Sequence, residues 1–420
     1  MSPVAAAGLS PVRHALANGV VLLSEHTATH PAVTIYATLD AGNLHDPDSS
    51  LGLANFVARV MDRGTESRSP DEIAEALDGR GVSLTTGVTR HLMSLSCTCL
   101  SEDIEAIMSL VADVIRRPSF PADQVEKRRT AIVTALRQDQ DNPAVVATEG
   151  LMGLLYRGGH PYGRAGRGTV ASVEAISRTD LVAFHRRRAT PDGLRLVVVG
   201  DVEPSRVEDL VDRAFGDWRA EAAGAVVFPP VSPASGGRET RQVIPGKPQA
   251  DIAYGFTTIT RDDPRYYALT LMNNVLGQYA LGGRLGDNIR ERQGMAYYVF
   301  SSFDANVAEG PLVVRAGVSP ANVDRTLTAI NEEIGKMGRD GVTVEELADS
   351  CRYLVGSMPR VLETNAGIAS FLHNAEYFGL GLDFDRRLPG LLERVTLDEV
   401  NETAATFLTP DRAAISVAGP

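Results

Sequence analysis

The residues at which this sequence could do metal chemistry lie on one short segment, GLANFVARVMDRGT, residues 52–65. Its apolar residues recur at the spacing of a helix that packs on a core: Leu53, Phe56, Val57, Val60 and Met61. The opposite face carries Asn55, Ala58, Arg59 and Asp62, at the spacing that lets a helix aim several side chains at one ion. Zinc, however, is bound by imidazole, thiolate and carboxylate groups. The spacing is therefore that of a metal site, whereas the residue types are not.

Other candidate metal-binding or catalytic residues carry weaker signals. His26 and His30 are four positions apart but lie between predicted strands, so they are not expected to share a helix face. Cys97 and Cys99 share one face of the alternating run LMSLSCTCL, and no second Cys or His pair accompanies them. They are predicted to be small buried residues. His160, in the segment HPYG, is predicted to fix a loop through hydrogen bonds.

The composition of the chain excludes several classes of protein. Its 420 residues are 44% hydrophobic and 22% charged, as in an ordinary globular protein long enough for two domains. The formal net charge of −12 argues against binding to the phosphate backbone of nucleic acids. Three cysteines are too few for a disulfide framework, and no apolar run is long enough to span a membrane. With no signal-peptide pattern at the N-terminus, we expect a cytoplasmic protein of bacterial type.

The chain divides into two halves that repeat each other. The stretch 225–248 is rich in proline and glycine and is predicted to link an N-terminal domain, 1–224, to a C-terminal domain, 249–420. Each half closes with a helix, a Thr-Pro-Asp turn and a buried strand, and the turn prolines Pro191 and Pro410 are 219 positions apart. This repetition predicts a duplicated α+β unit, in which helices lie on one face of a mixed, mostly antiparallel sheet.

Five segments of the sequence, in order, resemble the landmarks of one enzyme family. They are GLANFVARVMDRGT (52–65), DNP (141–143), HPYGR (160–164), LVVVGD (196–201) and GGRLGDNIRERQGMAYYVFSS (282–302). Together they resemble the family of pitrilysin, insulin-degrading enzyme and the mitochondrial processing peptidase. These are inverted zincins, whose zinc helix carries H-x-x-E-H. The resemblance covers almost the whole chain and implies two homologous domains that form half of a clam-shaped peptidase.

At the zinc site the sequence departs from the family pattern. The resemblance places the two His ligands at Asn55 and Arg59, the Glu base at Ala58, and the third ligand, a Glu on a later helix, at Ala135. Asparagine and alanine offer zinc no imidazole or carboxylate, and an arginine repels it. Alanine cannot take a proton from a metal-bound water either. We therefore expect no metal in this chain.

A second pair of family residues is retained. In the family, an Arg and a Tyr seven positions apart complete the active site, and they match Arg290 and Tyr297. Tyrosine can donate a hydrogen bond to an oxyanion, and arginine can hold a substrate carbonyl. Gly282 and Gly283 resemble the glycine-rich loop that non-catalytic subunits use near the substrate, although they could equally serve a tight turn.

The resemblance implies a non-catalytic subunit of a heterodimeric zinc peptidase. A homologous partner with an intact H-x-x-E-H would bring the zinc, and this chain would bring Arg290 and Tyr297. The substrates would be unfolded peptides, and neither nucleic acid nor a membrane is an expected partner. Two alternatives remain open: a structural or assembly protein, and a peptide-binding or cofactor-maturation homologue without proteolysis. A peptidase active on its own is the least favoured, because no replacement ligand set stands out.

Overall fold

The computed structural model describes residues 8–221, 224, 228, 229, 231, 237–278 and 282–420. These residues fold into two compact units, each built from three stretches of chain. The first unit takes the described residues within Met1–Leu136, Ala165–Val226 and Met358–Asp385, and the second those within Arg137–Arg164, Val227–Ser357 and Arg386–Pro420. Each unit therefore includes one helical segment from the other half of the sequence. Residues 137–164 belong to the second unit, and residues 358–385 belong to the first. Much of the predicted linker, 225–248, lies outside the described residues.

The first unit is built on a six-stranded sheet. In chain order its strands are β1 (Val12–Ala15), β2 (Val21–His26), β3 (Ala32–Leu39), β4 (Thr85–Val88), β5 (Met93–Leu100) and β6 (Leu194–Gly200). They lie side by side in the order β1-β2-β6-β3-β5-β4. The β2–β6 pair is parallel and the other pairs are antiparallel.

The second unit repeats this sheet. Its strands are β7 (Arg238–Val243), β8 (Ala250–Thr257), β9 (Ala296–Phe303), β10 (Pro311–Val318) and β11 (Ala414–Gly419). Their order, β7-β11-β8-β10-β9, matches β2-β6-β3-β5-β4, and here too the first pair is parallel and the rest antiparallel. The predicted α+β class and the predicted duplication are confirmed.

Most helices pack on one face of their sheet. In chain order they are α1 (Leu53–Val60), α2 (Pro70–Asp78), α3 (Ile104–Arg116), α4 (Ala122–Gln140), α5 (Pro143–Leu155), α6 (Val170–Ala175), α7 (Arg178–Arg188), α8 (Pro204–Phe215), α9 (Tyr266–Asn273), α10 (Val323–Asp340), α11 (Val344–Val361), α12 (Asn365–Tyr377), α13 (Phe384–Glu393) and α14 (Leu397–Phe407). Among the described residues, no helix is both long and apolar enough to cross a membrane.

Two helices are exchanged between the repeats. Helix α12, from the second half of the sequence, packs on β3 and β6 of the first sheet, on the face opposite α1. Most of its contacts there are apolar. One polar contact joins the helix to β3, where Thr38 Oγ1 lies 2.8 Å from Nε2 of His373 on α12. Helix α5, from the first half, packs in the same way on β8 and β11 of the second sheet. Each sheet is therefore covered on both faces.

Buried and half-buried histidines make the stability of the fold dependent on pH. Burial is the main cause that lowers the pKa of His91, His185 and His373 to about 4 and that of His45 to about 3. In the unfolded chain these side chains titrate near pH 6.5. Below that pH the unfolded chain binds more protons than the folded one, so the folded state loses stability.

We expect the free energy of unfolding to fall as the pH is lowered from about 6.5 to about 4, by an amount on the order of a few kcal/mol. Urea denaturation at a series of pH values measures it. His185→Gln removes one titrating group and can keep the hydrogen bond that the imidazole Nε2 makes with the Ile115 carbonyl at 2.8 Å. This variant is expected to show a shallower dependence, and equal slopes for the two proteins would contradict the assignment.

Candidate functional site

Helix α1, which carries the predicted site residues, is fixed at its start by one buried carboxylate. The Asp46 side chain accepts hydrogen bonds from the N–H groups of Gly52 and Ala54, at 2.8 Å each. It thereby satisfies donors that the first turn of a helix leaves without partners. Gly52 has a φ of 89°, and a Cβ atom there would lie 2.6 Å from the Arg167 carbonyl oxygen. Glycine is required at this position, and the start of α1 is well defined.

The two faces of α1 are those that the sequence predicts. The apolar stripe is at most 4% exposed and consists of Leu53, Phe56, Val57, Val60 and Met61. On the other face, Asn55 is half-buried and Arg59 is exposed. Ala58 is only 1% exposed, so this part of the opposite face is buried as well.

The position that the resemblance assigns to the third family ligand lies on helix α4. Ala135 is half-buried there, two turns after Arg128 and on the same face of the helix. Asn55, Ala58, Arg59 and Ala135 together offer no imidazole, thiolate or carboxylate, so they do not fit a zinc ion. Within the described part of the chain, no group of three or more His, Cys, Asp or Glu side chains could hold a metal.

Positive charge gathers around these positions. Burial raises the pKa of Asp62, whereas the guanidinium groups of Arg63 and Arg128 oppose that rise. The pKa of Arg128 is lowered first by burial and then by the nearby Arg63 and Arg59. The region that would have to attract a zinc dication is therefore cationic.

Arg290 and Tyr297 lie on either side of one tight turn. Arg290 is exposed in the last turn of the π-helical segment Gly286–Arg292, and its Nε lies 3.7 Å from Glu291 Oε1. The chain reverses at Gly294, with a φ of 60°, and enters β9 at Ala296. Tyr297 is 63% exposed, which is unusual for a large hydrophobic residue near the start of a strand. Both side chains are thus presented to solvent by one helix–turn–strand segment.

A β-bulge explains the exposure of Tyr297. In the pairing of β9 with β10, Tyr298 faces Gly317 and Ala296 faces Val318, so Tyr297 is the extra residue. A bulge of this kind turns a side chain away from the regular alternation of the strand. The neighbouring Tyr298 is anchored, because its hydroxyl donates to Asp251. The bulge and this anchor together direct Tyr297 outward.

Two interactions that the sequence reasoning missed hold this segment in place. Asn288 donates from Nδ2 to Glu333 Oε1 at 2.7 Å, which ties the π-helical segment to α10. Arg284 forms a bidentate pair with Glu346 of α11, with both N–O distances at 2.7 Å. Glu333 and Glu346 lie 45 and 62 positions further along the chain, so no local sequence signal marks them.

The glycine-rich loop is constrained by packing. Gly283 is buried, and a Cβ atom there would lie 2.8 Å from the Gly277 Cα. A Cβ on Gly277 would in turn lie 2.8 Å from the Ser301 nitrogen. Gly282 is exposed, whereas residues 279–281 lie outside the described residues. Close backbone packing accounts for Gly283, and a contact of Gly282 and Gly283 with substrate stays a prediction.

Comparison with known families matches both halves of the sequence. Residues 21–165 match the profile described as insulinase (peptidase family M16), and residues 175–354 match the profile described as the peptidase M16 inactive domain. The chain belongs to the M16 peptidase family. The family resemblance of the sequence is thereby confirmed.

Similar M16 proteins extend over the full length of the chain. An uncharacterized zinc protease of Mycobacterium tuberculosis is 27% identical, over 99% of this chain and 94% of that protein. A protein of Helicobacter pylori named a non-peptidase homolog is 24% identical, over 91% of this chain and 88% of its own length. A crystal structure of a peptidase M16 inactive domain from Pseudomonas fluorescens superposes with a TM-score of 0.91 at 25% identity, covering 98% of each chain.

As a member of the M16 family, this chain has the fold, and the residues that the resemblance places at the zinc site carry no imidazole, thiolate or carboxylate. The resemblance assigns the H-x-x-E-H positions to Asn55, Ala58 and Arg59, which lie in the part of the chain that matches the insulinase profile, residues 21–165. His160, Cys97 and Cys99 have contacts that suit structural roles. His160 accepts a hydrogen bond at Nδ1 from the Tyr162 N–H at 3.2 Å, and the two cysteines, on β5, are buried. The segment that carries Arg290 and Tyr297 is therefore the stronger candidate for a part in catalysis.

Proposed function

We propose that this chain is the non-catalytic subunit of a heterodimeric zinc metallopeptidase. A homologous partner with an intact H-x-x-E-H would supply the zinc, its ligands and the Glu base. This chain would complete the partner's active site with Arg290 and Tyr297. The observation that carries the proposal is a contrast: the zinc helix has lost every catalytic group, while Arg290 and Tyr297 are retained and exposed.

The geometry of the retained pair suits the roles assigned to it. The exposed hydroxyl of Tyr297 can donate a hydrogen bond to the oxyanion that forms when the substrate carbonyl is attacked. The guanidinium of Arg290 can hold a substrate carbonyl through two of its N–H groups. The bulge and the bonds of Asn288 and Arg284 hold both residues on a supported scaffold, which catalytic positioning requires.

The proposed substrates are unfolded peptides. Strand β9 is at the edge of the second sheet, and its outer side pairs with no other strand of the described chain. Such an edge can accept an extended peptide as a further strand. The cytoplasmic location and the absence of nucleic-acid and membrane partners, expected from the sequence, are part of the same proposal.

A tagged pull-down from the native organism tests the assembly. We expect one homologous chain with an intact H-x-x-E-H to copurify in equal amount, as identified by mass spectrometry and by the mass of the complex. Recovery of a homodimer without zinc would contradict the proposal and favour a peptide-binding role without proteolysis. Recovery in a large complex without such a partner would contradict it in favour of a structural or assembly role.

A further inference from the structure

Four charged residues cluster on the face where the zinc ligands of an active M16 chain would lie. Arg59 lies in the last turn of α1, Asp62 and Arg63 follow the end of that helix, and Arg128 lies on α4, two turns before Ala135. We call Arg59, Asp62, Arg63 and Arg128 the arginine cluster. All of its members belong to the first unit.

The arginine cluster carries more positive charge than it can pair internally. Asp62 is 9% exposed, and its Oδ2 lies 3.1 Å from Arg63 Nη2. Arg59 and Arg128 take part in no ion pair with another residue that the structure describes. The cluster thus holds three guanidinium groups and one carboxylate, in a chain whose overall charge is −12.

Buried polar atoms of the cluster also have no hydrogen-bond partner in the described part of the chain. They are Asp62 Oδ1, Arg63 Nε and Arg128 Nε. A buried N–H group without an acceptor costs free energy, and so does the mutual repulsion of guanidinium groups. An anion placed among the arginines would accept from these donors and offset the repulsion. Asp62 opposes such an anion, but it neutralises only one of the three positive charges.

The acidic side chain nearest to Arg128 along α4 is already paired with another arginine. Arg129, next to Arg128 on α4, bonds to Glu126 at 3.1 Å, and its guanidinium lies 5.1 Å from the centre of the Phe56 ring. The half-buried amide of Asn55, one turn before Arg59, can add a further donor on the same face. The site therefore offers guanidinium and amide donors, a combination that suits a planar carboxylate.

We infer that the arginine cluster binds a carboxylate of a peptide. This inference rests on the proposed function only in that peptides are the ligands. The carboxylate can come from an acidic side chain or from the C-terminus of the peptide, since both present the same two oxygen atoms to an arginine fork. The position that holds zinc in an active M16 chain would in this chain anchor the substrate.

Binding of defined peptides to the purified full chain alone tests this inference. Three peptides of equal length, each labelled with an uncharged fluorophore at the N-terminus, are compared by fluorescence anisotropy at low salt. One is neutral and amidated, the second is neutral with a free C-terminus, and the third is amidated with two internal glutamates. We expect at least one carboxylate peptide to bind about tenfold more tightly than the neutral one, and the stronger of the two identifies the source.

Matched variants assign the effect to the cluster. Arg59→Gln and Arg128→Gln should each remove most of the preference, and Arg128→Lys, which keeps the charge but loses the fork, should remove part of it. Arg206→Gln takes the same charge from an exposed position of α8 and should leave the preference intact. Thermal melts check that the variants are folded. Because Arg59 is exposed, Arg59→Gln is the variant least expected to disturb the fold.

Two results would overturn the inference. They are equal binding of all three peptides and an equal loss in Arg206→Gln. The assay needs neither a partner nor turnover, so a negative result leaves the role of Arg290 and Tyr297 untouched. Failure of the heterodimer to form would likewise leave this binding test valid.

Discussion

The complex that contains Tyr297→Phe is expected to turn over its peptide substrate about 10²–10³-fold more slowly than the complex with the unaltered chain. Phenylalanine keeps the ring but cannot donate a hydrogen bond to the oxyanion, so the loss should appear in kcat, with little change in KM. The Tyr297 side chain is 63% exposed, so its packing contributes little to the stability of the fold. Assembly and the melting temperature should therefore be unchanged.

Matched substitutions separate this effect from general damage. Tyr353→Phe alters another exposed tyrosine, on α11, and should keep full activity. Arg290→Gln is expected to raise KM and lower kcat, since a substrate clamp is lost, whereas Arg292→Gln on the same segment should have little effect. Arg292 is 74% exposed at its side chain and pairs with Asp287 at 2.6 Å. Full activity of Tyr297→Phe would remove this residue from the mechanism.

The second large effect concerns metal binding. The triple variant Asn55→His, Arg59→His and Ala135→Glu is expected to bind one zinc ion per chain with a Kd of about 1 μM or tighter, whereas the unaltered chain binds none at this site. The reason is that the resemblance places the family's three zinc ligands at these positions of α1 and α4. Elemental analysis after dialysis measures the zinc content, and the melting temperature should rise with zinc.

Two further variants make this prediction specific. The double variant Asn55→His and Arg59→His, which keeps Ala135, offers only two ligands and should bind zinc much more weakly. Adding Arg128→Gln to the triple variant should tighten binding, because it removes a positive charge near the metal. A triple variant that folds normally but binds no zinc would show that the ligand positions on α1 and α4 have been assigned wrongly.

Much of the fold follows from periodicity and repetition in the sequence. The apolar stripe of α1 was predictable, because a 3.6-residue period requires one face to be buried. The spacing of 219 positions between Pro191 and Pro410 predicted a duplicated unit, and the two sheets share one strand order. The exchange of α5 and α12 was not predictable, because an apolar helix face does not specify which of two similar sheets it covers.

The candidate site was predictable only in part. The family resemblance identified Asn55, Arg59, Arg290 and Tyr297 by position. It could not indicate the bulge that exposes Tyr297, which depends on pairing with a strand that lies more than ten residues further along. The proximity of Arg128 to the end of α1 could not be predicted from the sequence either, because it depends on how α4 packs on the core.

The central claim is that this chain contributes to catalysis without holding the metal. The most direct test measures zinc content and peptide cleavage for the purified pair and for each chain alone, with a quenched fluorescent peptide. We predict one zinc per heterodimer, carried by the partner, and cleavage that requires both chains. A partner that cleaves equally well alone, or zinc bound at stoichiometric amounts by this chain, would contradict the claim.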